Sequence, residues 1–355
     1  MATPAGCIRI ALEIPESQRV DAMIRPVVLL LSLALIAPRT PAAELLVGNK
    51  SADTVWRLST EDGSKVGEFA TGSGPHEIVV SADGRTALVS NYGAASPGNS
   101  LSVLDLSTDK AARKIDLGVH GRPHGMRFLP GDRRAVVTTE GSRSLLLVDI
   151  DGGRVESAID LEEGRGHMVA VSADGRFAYV TKIDAGTVSR IDLKALRKTH
   201  EVAAGAGAEG IAVRPGRDEI WVSNREAGTI TVHDPATLEV RHTLQSPGFP
   251  IRVVFTADGR TALVTNARAA TLSVIDAERK RVEHTVPLSR KGVDYRDTLL
   301  GRAALPIGVI ADPRKPRAYV AISGGDEIAV IDTQRWRVIE HWPTGREPDA
   351  LAIAD

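Results

Sequence analysis

Ser81-Ala82-Asp83-Gly84-Arg85 returns as Ser172-Ala173-Asp174-Gly175-Arg176 and again as Thr256-Ala257-Asp258-Gly259-Arg260. Each copy follows a short apolar run and precedes another that ends near Val-Ser-Asn or Val-Thr-Asn. Weaker copies stand at Pro130-Gly131-Asp132, Pro215-Gly216-Arg217 and Asp312-Pro313-Arg314. An Asp-Gly pair between two apolar runs marks a tight hairpin, because glycine accepts positive φ at little cost. A second landmark is an alternating run closed by aspartate, at Asp105, Asp149, Asp192, Asp234, Asp276 and Asp332. These aspartates are 44, 43, 42, 42 and 56 residues apart, and Ser59 holds the equivalent place 46 residues before Asp105.

A period of 42–46 residues carrying four short strands per unit is the spacing of a propeller blade. Inner strands are predicted from near 77, 125, 168, 210, 252, 308 and 350, and second strands from near 45, 86, 134, 177, 219, 261 and 317. The first copy lacks its inner strand and the last run, Asp349 to Ile353, has nothing after it. Joining the two completes a seventh blade, closes the ring and removes the open edges. The fold class is therefore all-β, a seven-bladed propeller of four-stranded antiparallel blades, closed by the C-terminal strand.

The pattern Gly-Pro-His, then Ser-Ala-Asp-Gly-Arg, Ala-x-Val-Ser-Asn and Ser-Val-x-Asp-Leu resembles the YVTN-type seven-bladed beta-propeller repeat. The resemblance covers about 44–355. It extends to secreted bacterial members of that superfamily, which are similar to the lactonase and cytochrome d1 propellers. The resemblance implies the fold; propellers host binding modules, hydrolases, lyases and redox subunits alike.

Residues 1–43 read as an upstream extension plus a secretory signal, with Met23 as the start. Arg25 precedes the apolar run Val27–Ala37, and Ala42-Ala43 offers a cleavage site. That run has 11 residues, against the roughly 20 needed to span a bilayer. Residues 44–355 are then one propeller domain, periplasmic or secreted, with no membrane span and expected as a monomer. The whole chain has 355 residues, 43% apolar and 25% charged, which excludes a disordered polymer. A net charge of −1 gives no footprint for nucleic acid. Aromatics at 4% argue against an aromatic sugar groove, and Trp56, Trp221, Trp336 and Trp342 are out of register with one another. The single cysteine, Cys7, lies upstream of Met23, so a disulfide scaffold, a cysteine zinc site and a haem attachment are excluded. Serine-hydrolase elbow, metalloprotease and phosphate-loop motifs are absent.

Candidate chemistry gathers at one rim. The residue before each inner strand is His76, His124, His167, Glu209, Ile251, Ile307 and Asp349 in turn. Three imidazoles on adjacent blades with a carboxylate fit a divalent metal, and His76, His124 and His167 are its candidate ligands. They equally fit general acid–base work, with His76, His124, His167 and Glu209 as candidate catalytic groups. In the repeat family Pro-His belongs to the consensus, so the resemblance also implies a purely structural role, with each imidazole bonded to a strand end. Two departures from the repeat emerge on the same rim: Tyr92 to Asn99, and 289–304 with Arg290, Asp294, Tyr295, Arg296 and Asp297. These are candidate contacts for a protein, glycan or small-molecule ligand. The expected function is an exported binding scaffold acting through its channel mouth. The alternatives are a metal-assisted, lactonase-like hydrolase or lyase, and a redox subunit whose cofactor sits on a partner.

Overall fold

A computed structural model describes residues 43–108, 110 and 112–354. The upstream extension and signal, with Cys7 and Met23, lie outside the described residues. In blade 1 the strands are Pro75–Val80, Thr86–Gly93, Pro97–Asp105 and Arg113–Asp116, each antiparallel to the next. The repeated pentapeptide makes the first turn as its chemistry requires. Asp83 Oδ1 accepts from Ser81 Oγ at 2.6 Å and from the Arg85 N–H at 3.0 Å, and Gly84 takes φ +71°. Asp174 and Asp258 repeat the arrangement. The aspartates that close the third strands accept turn N–H groups two and three residues on, as at Asp192, Asp276 and Asp332. Both landmarks are turn chemistry.

Seven four-stranded sheets result. In the seventh, Pro348–Ala354 is the inner strand and pairs with Glu44–Asn49, in the register Leu45 to Ile353, Leu46 to Ala352 and Val47 to Leu351. The core is divided among the blade interfaces. Leu88, Leu101 and Val103 of blade 1 pack on Met126, Ala135 and Val137 of blade 2. Either side of the closure, Tyr319 and Trp342 meet Leu45 and Leu58, and Leu46 and Phe69 meet Ile78 and Leu104. Each such side chain contributes about 1.5–3 kcal/mol by leaving water. No helix among the described residues is long and apolar enough to cross a membrane.

The inner strands begin two residues earlier than the periodicity predicts, and the reason places the site. Pro75 pairs with Asn91, but the ladder resumes only at Ile78 with Val89. Two residues, His76 and Glu77, therefore oppose one, Ser90, which is a β-bulge. The same shift occurs at the same place in all seven blades. The hydroxyl of the opposing Ser or Thr takes up the freed backbone groups: Ser90, Thr181, Ser223 and Thr265 accept the N–H of Glu77, Met168, Gly210 and Arg252. Thr138, Thr181, Ser223 and Thr265 also donate to the carbonyls of His167, Glu209, Ile251 and Ile307 on the following blade, at 2.5–2.8 Å. In these four blades the hydroxyl thus fixes the next blade's rim residue.

Candidate functional site

The bulges turn the predicted rim residues toward the channel mouth, where His76, His124 and His167 converge. Adjacent imidazole centroids lie 4.2 and 3.8 Å apart. The two outer rings each face a carboxylate. His167 Nδ1 is 2.7 Å from Glu140 Oε1, and His76 Nδ1 is 2.9 Å from Asp349 Oδ2, off the hydrogen-bond line. His124, at 1% exposure, has no hydrogen-bond partner on either ring nitrogen. The Nε2 of His167 is likewise unbonded, 3.5 Å from Glu209 Oε1. Two donor sets, His76 with Glu77 and His124, and His124 with Glu140 and His167, each bring their ligand atoms within 4.8 Å of one another. Buried polar nitrogens without partners are rare in folded chains and cost about 1–3 kcal/mol each. Here they lie together among the donor sets rather than bonded to strand ends.

His124 and His167 differ in basicity. Burial alone disfavours the charged form of His167, yet the Glu140 hydrogen bond and the charges of Glu140 and Glu209 outweigh it and push its pKa up to about 9. Burial raises Glu140 too, and is outweighed by His167 and the Tyr92 hydroxyl, which bring it down to about 2. His124 is held well below the ordinary histidine value by burial and by the charges of His167 and His76. Asp349 stays ionised: burial opposes it, but His76, Lys50 and Arg252 prevail. Without a metal, the neutral His124 imidazole sits between two rings that each face a carboxylate.

Beneath this layer Arg252 crosses the channel. It forms an ion pair with Glu77 on blade 1 and lies 3.7 Å from Glu209 and 4.0 Å from Asp349. Glu77 and Arg252 occupy the second bulge position, where other blades carry Gly125, Met168, Gly210, Gly308 and Ala350. Sequence reasoning passed over both; a charged residue in a column of mostly small ones was the available signal. The sequence places Glu140 at this rim with the other second-strand ends, without singling it out as a site group. Its equivalents Asn91, Asn224 and Asn266 tie the second strand to the third through Ser and Thr hydroxyls. Glu140 departs from them and reaches inward.

The segment from Tyr92 to Asn99, predicted as a loop, instead extends the hairpin: the strands run to Gly93 and restart at Pro97 because Gly93 pairs with Pro97. The extension lays Tyr92 over the cluster. Its hydroxyl donates to Glu140 Oε2 at 2.6 Å, its ring stands edge-on to His76 and His124, and Arg122 covers it. Asn99 lies outside the cluster and donates to the Gly118 carbonyl at 2.8 Å. In the 289–304 insertion, the Arg290 N–H donates to the Tyr295 hydroxyl, Arg290 pairs with Glu327 and Arg296 with Asp326. Asp294 and Asp297 pair with Arg302 at the exposed tip, next to Leu299 at 94% exposure. The insertion's Leu300 and Ala303 pack on Ile251 and Ile307.

Residues 136–297 match the family described as YNCE-like beta-propeller. The chain is a seven-bladed propeller, and this stretch of it is similar to that family. Two curated relatives, both named Uncharacterized protein YncE, come from Salmonella typhi and Salmonella typhimurium. Each is 26% identical over 227 residues, which is 63% of this chain and 62% of the relative. The propeller thus spans less than two thirds of the relatives it matches. Two solved structures superpose on it. One is the hydrazine synthase of Kuenenia stuttgartiensis, with TM-score 0.67, 19% identity, 78% of this chain and 88% of the other. The other is a functionally unknown protein from Desulfotomaculum acetoxidans DSM 771, with TM-score 0.71, 14% identity, 88% of this chain and 98% of the other. At these identities the likeness is one of fold.

Proposed function

We propose that this YVTN-type propeller is exported and binds a divalent transition metal at its channel mouth, on His76, His124 and His167. One observation carries the reading: His124 is buried between two imidazoles with neither ring nitrogen bonded. A first-row ion suited to imidazole, such as zinc, copper or nickel, satisfies such nitrogens. Glu140 and Asp349 stand at the Nδ1 side of the outer rings, as carboxylates do when they orient metal-bound histidines. Export is supported by the basic residue, apolar run and small-residue end of 23–43. A hydrolase or lyase would use the same ion, so the metal is the first thing to test.

Chelator-treated protein would be equilibrated with zinc, cobalt(II), nickel and copper(II), dialysed, and its metal content measured. One ion per chain is expected. His124→Ala should abolish retention, while the exposed His284→Ala should not. No stoichiometric ion, or an ion retained by His124→Ala, removes the proposal.

A further inference from the structure

Below the Arg252–Glu77 crossing, the seven inner strands enclose a cavity of about 720 Å³, within the size range of small-molecule sites. Its wall is largely aliphatic and aromatic, with Val80, Phe128, Val171, Val213, Phe255 and Ile353 among its residues. Its far end lies between the first turns of the blades, at Pro130, Gly131 and Ser172. The cavity is therefore separate from the imidazole layer and sits at the other side of the charged crossing.

One residue in this wall is out of keeping. Arg127 takes the place where the other six blades carry Val79, Ala170, Ala212, Val254, Ile310 and Ala352. All of these positions line the cavity. The Arg127 guanidinium donates to the carbonyl of its own neighbour, Met126, at 2.7 Å. Among the described residues, no carboxylate is paired with it. Glu77, the acid whose charge acts on it, is engaged by Arg252. A guanidinium carries five donors, and a cation in an apolar wall is costly until an anion joins it. Nothing in blade packing asks for a cation in a column of apolar side chains. The second cavity cation, Arg252, has its counter-ions in place; Arg127 does not.

We propose that the lower channel binds a small amphiphilic monocarboxylate. Its carboxylate is held by the Arg127 fork and its hydrocarbon body lies along the channel wall. The guanidinium matches a carboxylate in two parallel hydrogen bonds, and the walls supply the apolar burial. This site goes beyond the rim metal and does not rest on it.

The test uses chelator-treated protein and calorimetric titration with hexanoate, octanoate, decanoate and dodecanoate, and with decanol. Affinity for the acids should rise about two- to fourfold with each added CH₂. Arg127→Met should weaken decanoate about tenfold or more, while decanol binds as in the unaltered protein. Arg127→Lys should recover part of the loss and serves if Arg127→Met does not fold. Ala212→Phe, which fills the channel, should remove both ligands. The proposal is overturned by absence of binding at every chain length, by affinity that ignores chain length, or by decanoate binding unchanged in Arg127→Met or Arg127→Lys. Decanoate binding lost in His124→Ala but kept in Arg127→Met also overturns it, by putting the carboxylate at the rim. Failure of the metal test leaves this result standing, since chelator is present throughout.

Discussion

Two arcs of the same rim share a backbone and differ in side chains. On blades 7, 1, 2, 3 and 4 the first bulge position holds Asp349, His76, His124, His167 and Glu209; on blades 5 and 6 it holds Ile251 and Ile307. The bulge is the same in both arcs. So is the hydroxyl that grips the carbonyl: Ser223 and Thr265 hold Ile251 and Ile307 as Thr138 and Thr181 hold His167 and Glu209. In the apolar arc Ile251 and Ile307 pack with Phe249 and Leu305 under the insertion. In the polar arc the side chains face one another and leave ring nitrogens unbonded. The repeat therefore supplies a mount, and a single side chain per blade decides whether that mount stabilises the ring or carries chemistry.

The largest effect should come from cutting the strand the two arcs depend on. Ending the chain at Pro343 removes Asp349 from the polar arc and the strand that pairs with Glu44–Asn49. It also opens the interface of Leu46 and Phe69 with Ile78 and Leu104. A closed array with one inner strand missing exposes an unpaired edge. Thermal unfolding followed by circular dichroism should show loss of the cooperative transition. A truncated protein that keeps the full midpoint would show that neither arc needs the closure.

Paired substitutions test the arcs against each other. Ile307→Ala leaves a cavity under Leu305 and Phe249 and should destabilise by about 2–5 kcal/mol, with the metal content unchanged. His124→Phe should abolish metal binding and raise metal-free stability by about 1 kcal/mol, because the unbonded nitrogens go with the imidazole. Thermal midpoints measured with chelator and with added metal read both. If His124→Phe destabilises the metal-free protein as strongly as Ile307→Ala does, the polar arc is a structural core and the distinction fails.

The fold was legible because its determinants are local and repeated. Asp83-Gly84 dictates its own turn, and the aspartates closing the third strands dictate theirs. The rim column was legible too, since one register runs through all blades. What escaped were contacts that no period contains. Arg252 and Glu77 are 175 residues apart and meet across the channel, on blades that are not neighbours. A repeat specifies which blades are adjacent and which positions are equivalent, but not which side chains span the hole. The placement of Tyr92 over the histidines escaped for another reason. The extra pairing of Gly93 with Pro97 turned an apparent loop into hairpin and swung the ring over the histidines.

The arcs also differ in how their stability depends on pH. His167 has its pKa raised from 6.5 to about 9 in the folded chain. Its contribution is therefore complete below pH 6.5 and lost as pH rises toward 9, on the order of 3 kcal/mol at most. Glu140 is lowered from 4.5 to about 2, so its contribution is complete above 4.5 and fades as pH falls toward 2. His124, depressed below 6.5, takes up its proton more readily when unfolded, which lowers stability as the pH drops below 6.5. Metal-free stability should thus peak near the ordinary histidine pKa, with His167 responsible for the alkaline decline. His167→Phe should flatten that limb, whereas Ile307→Ala should lower the whole curve without changing its shape. The same proton must leave before the imidazole can bind an ion. Metal affinity should therefore keep climbing to about pH 9, and a plateau near 6.5 would show that His167 is not a ligand.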